Sequence, residues 1–269
     1  MSLTVGNGPL ANPLRGQLNV DFSGPAHLLY LHDVPKRVRG VLAGQTVVDS
    51  NRVRMLHETG LLPVWYFPME DVRADLILPT HHVTTCPFKG EAVYWTVKVG
   101  DRVAENAIWS YPNPLPGAPP LSGLVAFYLD RMDEWYEEDE PVVGHPRDPF
   151  HRVDTRASSR HIVVRLGDDL VADSTRSVAL FETGLPTRYY LPAADVTDTL
   201  LVPSQTTSYC PYKGTATYVG VRGSDGTVID DAAWQYREPL GEALQVAGYL
   251  SFYPGKGLDI TVDAQPAPS

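Results

Sequence analysis

The two cysteines of this 269-residue chain each stand three residues before a lysine. The first lies in "TCPFKGEAVY", Thr85 to Tyr94, and the second in "YCPYKGTATY", Tyr209 to Tyr218. An ammonium beside a thiol lowers its pKa and exposes a nucleophilic thiolate. Cys86 with Lys89, and Cys210 with Lys213, are therefore candidate catalytic groups for thiol redox or group transfer. A structural reading competes with that one. Proline biases the preceding cysteine toward extended backbone, glycine supplies a tight turn, and a lone cysteine often packs as a small hydrophobe.

The lysine recurs in both halves of the chain, and so does an arginine, Arg52 and Arg176. With Tyr66, Tyr94, Trp109 and Tyr111 in the first half, and Tyr190, Tyr218, Trp234 and Tyr236 in the second, these cations suggest an aromatic pocket with a basic floor. Such a pocket suits a small planar or anionic ligand. Against it, the arginine can pair with Glu58 or Asp71, the lysine with Asp71/Asp195 or Glu58/Glu182, and the rings can be core. Glu58/Glu182 and Asp71/Asp195 are possible acid–base groups, although carboxylates at turn and strand ends more often bond backbone. There is no Gly-x-Ser-x-Gly, no phosphate-binding loop, and no histidine expected to align between the halves as a base. The His81-His82 pair has Gln205-Thr206 in the other copy, so a shared metal site is not expected, and no cofactor is.

These residues sit on a repeat. Shifted by 124, residues 49–94 match 173–218 at 20 of 46 positions without a gap. One insertion later, Ala107/Ala232, Trp109/Trp234, Tyr111/Tyr236, Phe127/Phe252 and Tyr128/Tyr253 continue the match. A period this long is a whole domain. The boundaries read as 1–136 (repeat proper from about 37), a linker and lead-in over 137–159, and a second domain over 160–269. Nearly equal offsets and the short linker suggest that the two domains pair with each other. Within a domain the pattern is β. "AVYWTVKV" alternates, with Val93, Trp95, Val97 and Val99 on one face and Ala92, Tyr94, Thr96 and Lys98 on the other. "HIVVRL", "TRYYLP" and "VAGYLSFY" are β-branched and aromatic. Gly167-Asp168 and Gly223-Ser-Asp-Gly226 read as hairpin turns. Only Arg73 to Leu78 and Gly241 to Gln245 suggest helical turns.

The quoted motifs resemble the bacterial family known as domain of unknown function 427. Its pattern is Asp-Ser-x-Arg, Glu-Thr, Tyr-Tyr-x-Pro-x-x-Asp-Val, Cys-Pro-Tyr-Lys-Gly, Ala-x-Trp-x-Tyr and a closing Phe-Tyr, and both halves carry nearly all of it. The resemblance implies a mainly β fold of two tandem β-tent-like domains with short helical turns, and no known activity. A family label suggests nucleotidyl transfer, but no paired-carboxylate metal signature accompanies it. β-tent relatives often hold zinc through two cysteine pairs, and one cysteine per domain cannot build that site.

Net charge is -10, which disfavours nucleic acid and acidic membranes as partners. The acidic run Asp133 to Glu140 reads as a solvated linker face. No signal peptide and no apolar span of about 18 residues is evident, and two cysteines make no disulfide framework, so a reducing cytoplasm is expected. The leading expectation is a tandem module that binds an unknown small molecule in each domain. The alternatives are an enzyme using Cys-Pro-aromatic-Lys and a protein–protein scaffold.

Overall fold

The structure is a computed structural model that describes Gln17, Asn19 and residues 26–268. The chain forms two compact units, residues 1–148 and 149–269. The first contains β1 (Leu29–Asp33), β2 (Val38–Leu42), β3 (Gln45–Ser50), β4 (Arg54–Glu58), β5 (Val64–Pro68), β6 (Ile77–Cys86), β7 (Gly90–Val99), β8 (Arg102–Ser110), β9 (Leu124–Phe127), β10 (Glu134–Glu137) and β11 (Glu140–Pro141). They form an antiparallel sheet in the order β1-β4-β5-β9-β8-β7-β6 and a second in the order β11-β10-β2-β3.

The second unit contains β12 (Val153–Ser158), β13 (Ile162–Leu166), β14 (Asp169–Ser174), β15 (Ser177–Glu182), β16 (Arg188–Tyr190), β17 (Leu201–Cys210), β18 (Gly214–Arg222), β19 (Val228–Tyr236), β20 (Leu250–Phe252), β21 (Asp259–Val262) and β22 (Gln265–Pro266). Its strands run β12-β15-β16, then β20-β19-β18-β17, with a Leu191–Leu250 bridge between the two groups, and β14-β13-β21-β22 in the other sheet. Strand for strand this is the order of the first unit. The fold is mainly β and duplicated, as the repeat requires. Among the described residues no helix is long and apolar enough to cross a membrane.

Side chains alternate across a strand, and this splits each core in two. In β5, Trp65 and Phe67 join Val38, Leu42, Val97, Phe127 and Trp135 between the sheets. Tyr66, between them in sequence, faces the other way and packs with Leu56, Tyr94, Tyr111 and Leu121. In β7, Tyr94 and Trp95 divide in the same manner. The helical stretches are short 3-10 segments: Ala74–Leu76 and Gly241–Val246, where the sequence suggests them, and also Met69–Asp71, Leu129–Arg131, Ala193–Asp195 and Asp198–Leu200, which are too short to leave a pattern in the sequence.

Residues 137–159 are less of a linker than charge and proline content suggest. Glu137 ends β10, Glu140–Pro141 is β11, and Val153–Ser158 is β12, an edge strand of the second unit. The acidic run Asp133 to Glu140 is likewise not a purely solvated face. It alternates, and Trp135 at its centre is 4% exposed and inserts into the core. Charge on the outward side masks the inward tryptophan in a composition-based reading.

Trp135 lies opposite Gly40 on β2, and a Cβ at Gly40 would stand 2.7 Å from its ring. In the second unit the corresponding pair is Val164 and Ile260, also directly opposite each other. One copy uses a large residue against glycine, and the other uses two of middle size. Gly40→Val alone should therefore overpack the first unit and cost about 1–3 kcal/mol. Adding Trp135→Ile should recover part of that loss. Urea melts of the single and double variants check it, and equal stability for both would contradict this account of the packing.

Candidate functional site

The Cys-Pro-aromatic-Lys motif is the turn of a hairpin. Cys86 pairs with Gly90 across β6 and β7, and Cys210 with Gly214 across β17 and β18. Gly90 and Gly214 have φ of +107° and +97°, which side chains rarely adopt. The turn aims each lysine back over its sheet. Lys89 Nζ donates to Glu58 Oε2, and Lys213 Nζ donates to Glu182 Oε2. These pairs are enclosed, with Lys89 and Glu58 each 7% exposed. The lysine therefore takes the glutamate among the partners expected for it, and Asp71 goes elsewhere.

Each glutamate has a second partner. His27 Nε2 donates to Glu58 Oε1 at 3.0 Å, and His151 Nε2 donates to Glu182 Oε1 at 2.9 Å. The His27 ring lies flat on Phe88 with centroids 3.6 Å apart, and His151 packs on Tyr212 at 4.1 Å. The two histidines are 124 residues apart, so the expectation that none aligns is corrected here. His27 lies upstream of residue 37 and His151 in the lead-in to the second domain, where few other positions match, so the pair stands outside the run of identities. The threonine of Glu-Thr-Gly-Leu secures the same segment: Thr59 Oγ1 accepts from Leu28 N and Thr183 Oγ1 from Arg152 N, both at 2.9 Å.

Burial alone would raise the carboxyl of Glu182, but the His151 hydrogen bond and the Lys213 ammonium outweigh it and hold it below its ordinary value. The cluster is thus an ionised glutamate between an ammonium and an imidazole. It orients the imidazole as an acid–base pair would, but the ammonium is already neutralised and is not an open anion site. Cys86 and Cys210 are free, half-buried thiols.

Arg52 and Arg176 belong to a second cluster. Arg52 pairs with Asp71 and Glu70, and Arg176 pairs with Asp195 at 2.6 Å. Ser50 and Ser174 donate to the same aspartates at 2.6 and 2.7 Å. This is the alternative in which arginine serves the scaffold. The aromatics do gather beside the lysines, in packed form. Tyr66, Tyr94 and Tyr111 are buried in the first unit, and Tyr190, Trp234 and Tyr236 in the second, with Trp109 and Tyr218 half-buried against them. Lys89 Nζ lies 5.7 Å from the Tyr111 ring centroid. Trp234 Nε1 donates to Tyr190 Oη at 2.9 Å. Burial raises the phenols of Tyr66, Tyr111, Tyr190 and Tyr236 well above the usual tyrosine value, so all four stay neutral. His82 packs its edge on Tyr94 at 4.5 Å. Among the described residues no three His, Cys, Asp or Glu side chains group as a metal site.

Two features were not legible in the motifs. In the first unit His32 and His57 stack, with their Nε2 atoms 3.0 Å apart, so one ring must donate and the other accept. His57 Nδ1 is 3.8 Å from the Asp148 carboxylate, and burial pushes the His57 imidazole down to about 4 despite that neighbour. In the second unit an open groove of about 610 Å³ runs between β17, β18 and the turn before β17. Tyr218, Thr217, Gln235, Val219, Asp198 and Arg237 contribute to its lining. At the equivalent positions the first unit has Trp95 for Val219 and Met69 for Ala193, both packed against its core.

Lys89→Met leaves Glu58 enclosed without its ammonium, and it should cost the first unit about 3 kcal/mol. The double change Glu58→Leu, Lys89→Met should be the more stable of the two variants. Thermal melts decide, and a single variant as stable as the parent would show the pair to be dispensable. For His57 the folded pKa lies below the unfolded 6.5, so the unfolded chain binds the extra proton first. Stability of the first unit should fall as pH drops from 6.5 toward 4, by on the order of 3 kcal/mol. His57→Phe, the residue type found at Phe181 in the other copy, should flatten that part of the profile. An unchanged slope in the variant would assign the effect to another group.

No characterised protein matches the chain. The sequence pattern of one family does match, over residues 30–138 and again over 154–264, so both units are covered. The duplicated hairpin with its lysine and glutamate lies within both matched stretches, with His27 and His151 just ahead of them, and the chain belongs to the family described as domain of unknown function DUF427.

Proposed function

We propose that this is a small-molecule-binding protein and that its second unit carries the binding site, in the groove between β17 and β18. The groove is the observation that carries the reading. Its volume of about 610 Å³ falls within the range of about 300–1,000 Å³ typical of ligand sites. Its lining mixes apolar groups, Leu201, Val219 and Leu250, with a few polar ones. Thr217 Oγ1 is enclosed there without a hydrogen-bond partner among the described residues. Of the aromatic residues singled out in the sequence, Tyr218 is the one in this lining.

The reading modifies the expectation of one pocket per domain built on the lysine and arginine. Those cations already have carboxylate partners, and a ligand anion would have to displace a buried glutamate to reach the lysine, at a cost of several kcal/mol. The same engagement weakens the alternative of thiol or group-transfer chemistry, because the ammonium that would activate the cysteine is occupied. Free thiols at Cys86 and Cys210 fit a reducing compartment such as the cytoplasm.

Val219→Trp restores the residue of the first unit and should fill the groove without disturbing the sheet. Native mass spectrometry of the parent protein, purified without dialysis, should reveal a co-purifying small molecule. The variant should lack it. A small molecule retained equally by both proteins would sink the groove as its site.

A further inference from the structure

We infer that the groove of the second unit selects a zwitterion, a small molecule carrying both a carboxylate and an ammonium on an apolar body. The inference rests on the proposed binding function and adds the ligand class. Its basis is a pair of charges. Arg237, just beyond β19, and Asp198, at the turn before β17, both contribute to the groove. Both are exposed. Neither makes an ion pair with the other or with any other described residue. That is unlike Arg37, Arg52, Arg73 and Arg176, each of which is matched by a carboxylate in the fold.

The first unit shows that the fold itself needs neither charge. At the equivalent positions it has Pro112 and Ala74. The cation and the anion therefore occur only in the second copy, together with the replacement of the bulky Trp95 and Met69 by Val219 and Ala193. Gln235, where the first unit has Ser110, adds an amide that can both donate and accept. A guanidinium offers a planar fork suited to a carboxylate. A carboxylate across the groove suits an ammonium. The apolar floor of Leu201, Val219 and Leu250 accommodates what lies between. A ligand with one charge only would leave the opposite groove charge facing an apolar or like-charged group, which penalises it.

Isothermal titration of the full chain tests this with leucine, γ-aminobutyrate and ε-aminocaproate, which span increasing charge separation. At least one should bind. Its amide, lacking the carboxylate, and its deaminated acid, lacking the ammonium, should each bind about tenfold more weakly or worse. Arg237→Gln should abolish the preference for the free acid over the amide. Asp198→Asn should abolish the preference for the amine over the deaminated acid. Both side chains are exposed, so the variants should fold as the parent does. If the deaminated acid binds as tightly as the zwitterion, or if Asp198→Asn changes nothing, the ligand class is wrong. The binding function would still stand if Val219→Trp abolished that binding. If none of the three compounds binds, the zwitterion inference is overturned, and the co-purifying molecule remains the separate test of the groove.

Discussion

A buried carboxylate held by a lysine and a histidine organises each half of this protein. Glu58 and Glu182 close β4 and β15, and each accepts one hydrogen bond from a lysine and one from a histidine. Removing a carboxylate from water costs several kcal/mol, and only close partners on its oxygens offset that. The partners come from two otherwise unrelated segments, the hairpin turn and the chain leading into the first strand. One interaction therefore fixes the β6–β7 or β17–β18 hairpin, the start of β1 or β12, and the strand between them. The aromatic cluster packs beneath it, and the positive-φ glycine gives the lysine its direction. Losing any of the three groups leaves at least one buried polar atom unpaired, which explains why the set has stayed whole in two copies that have diverged elsewhere.

Away from that cluster the copies differ by compensated changes. Gly40 with Trp135 becomes Val164 with Ile260, which keeps the inter-sheet space filled by a different division of volume. The single change is costly because interiors are close-packed, and the pair is tolerated. The exchange of Trp95 and Met69 for Val219 and Ala193 leaves two smaller side chains, and both contribute to the lining of the second unit's groove. Two copies of one fold then carry different surfaces on a common frame. The frame is set by strand alternation and by the glutamate cluster, and the difference is set by a handful of residues on one sheet face.

The charges follow the same division. Arg52 and Arg176 are held by the aspartate that ends the Pro-x-x-Asp turn, which also accepts from the serine two residues before the arginine. These ion pairs are largely exposed and contribute little net energy, but they tie the turn after β5 or β16 to the end of β3 or β14. The lysine pairs sit in a drier place, and their strength lies in the penalty for breaking them. Among the described residues Arg237, like Arg147, Arg222 and Lys98, has no carboxylate partner, and of these four it is the one that contributes to the groove of the second unit.

The sequence alone determined the duplication, the β class, the alternation that separates Tyr94 from Trp95, and the hairpin turns at Gly167-Asp168 and Gly223 to Gly226. Each follows from local rules: backbone sterics, a period of two, and a shift that superposes one half on the other. It narrowed the lysine's partner to two carboxylates without choosing between Glu58 and Asp71. Both lie far from Lys89 along the chain, and only the path of β4 against the hairpin brings one of them within reach. The histidine ligand was hidden because it stands alone in a poorly matching stretch. The strands at 137–159 were hidden because outward charges outnumber the inward residues. The groove was decided only by tertiary structure, since an open space depends on the summed volumes of side chains from several strands and a turn, and no single segment of sequence encodes that sum.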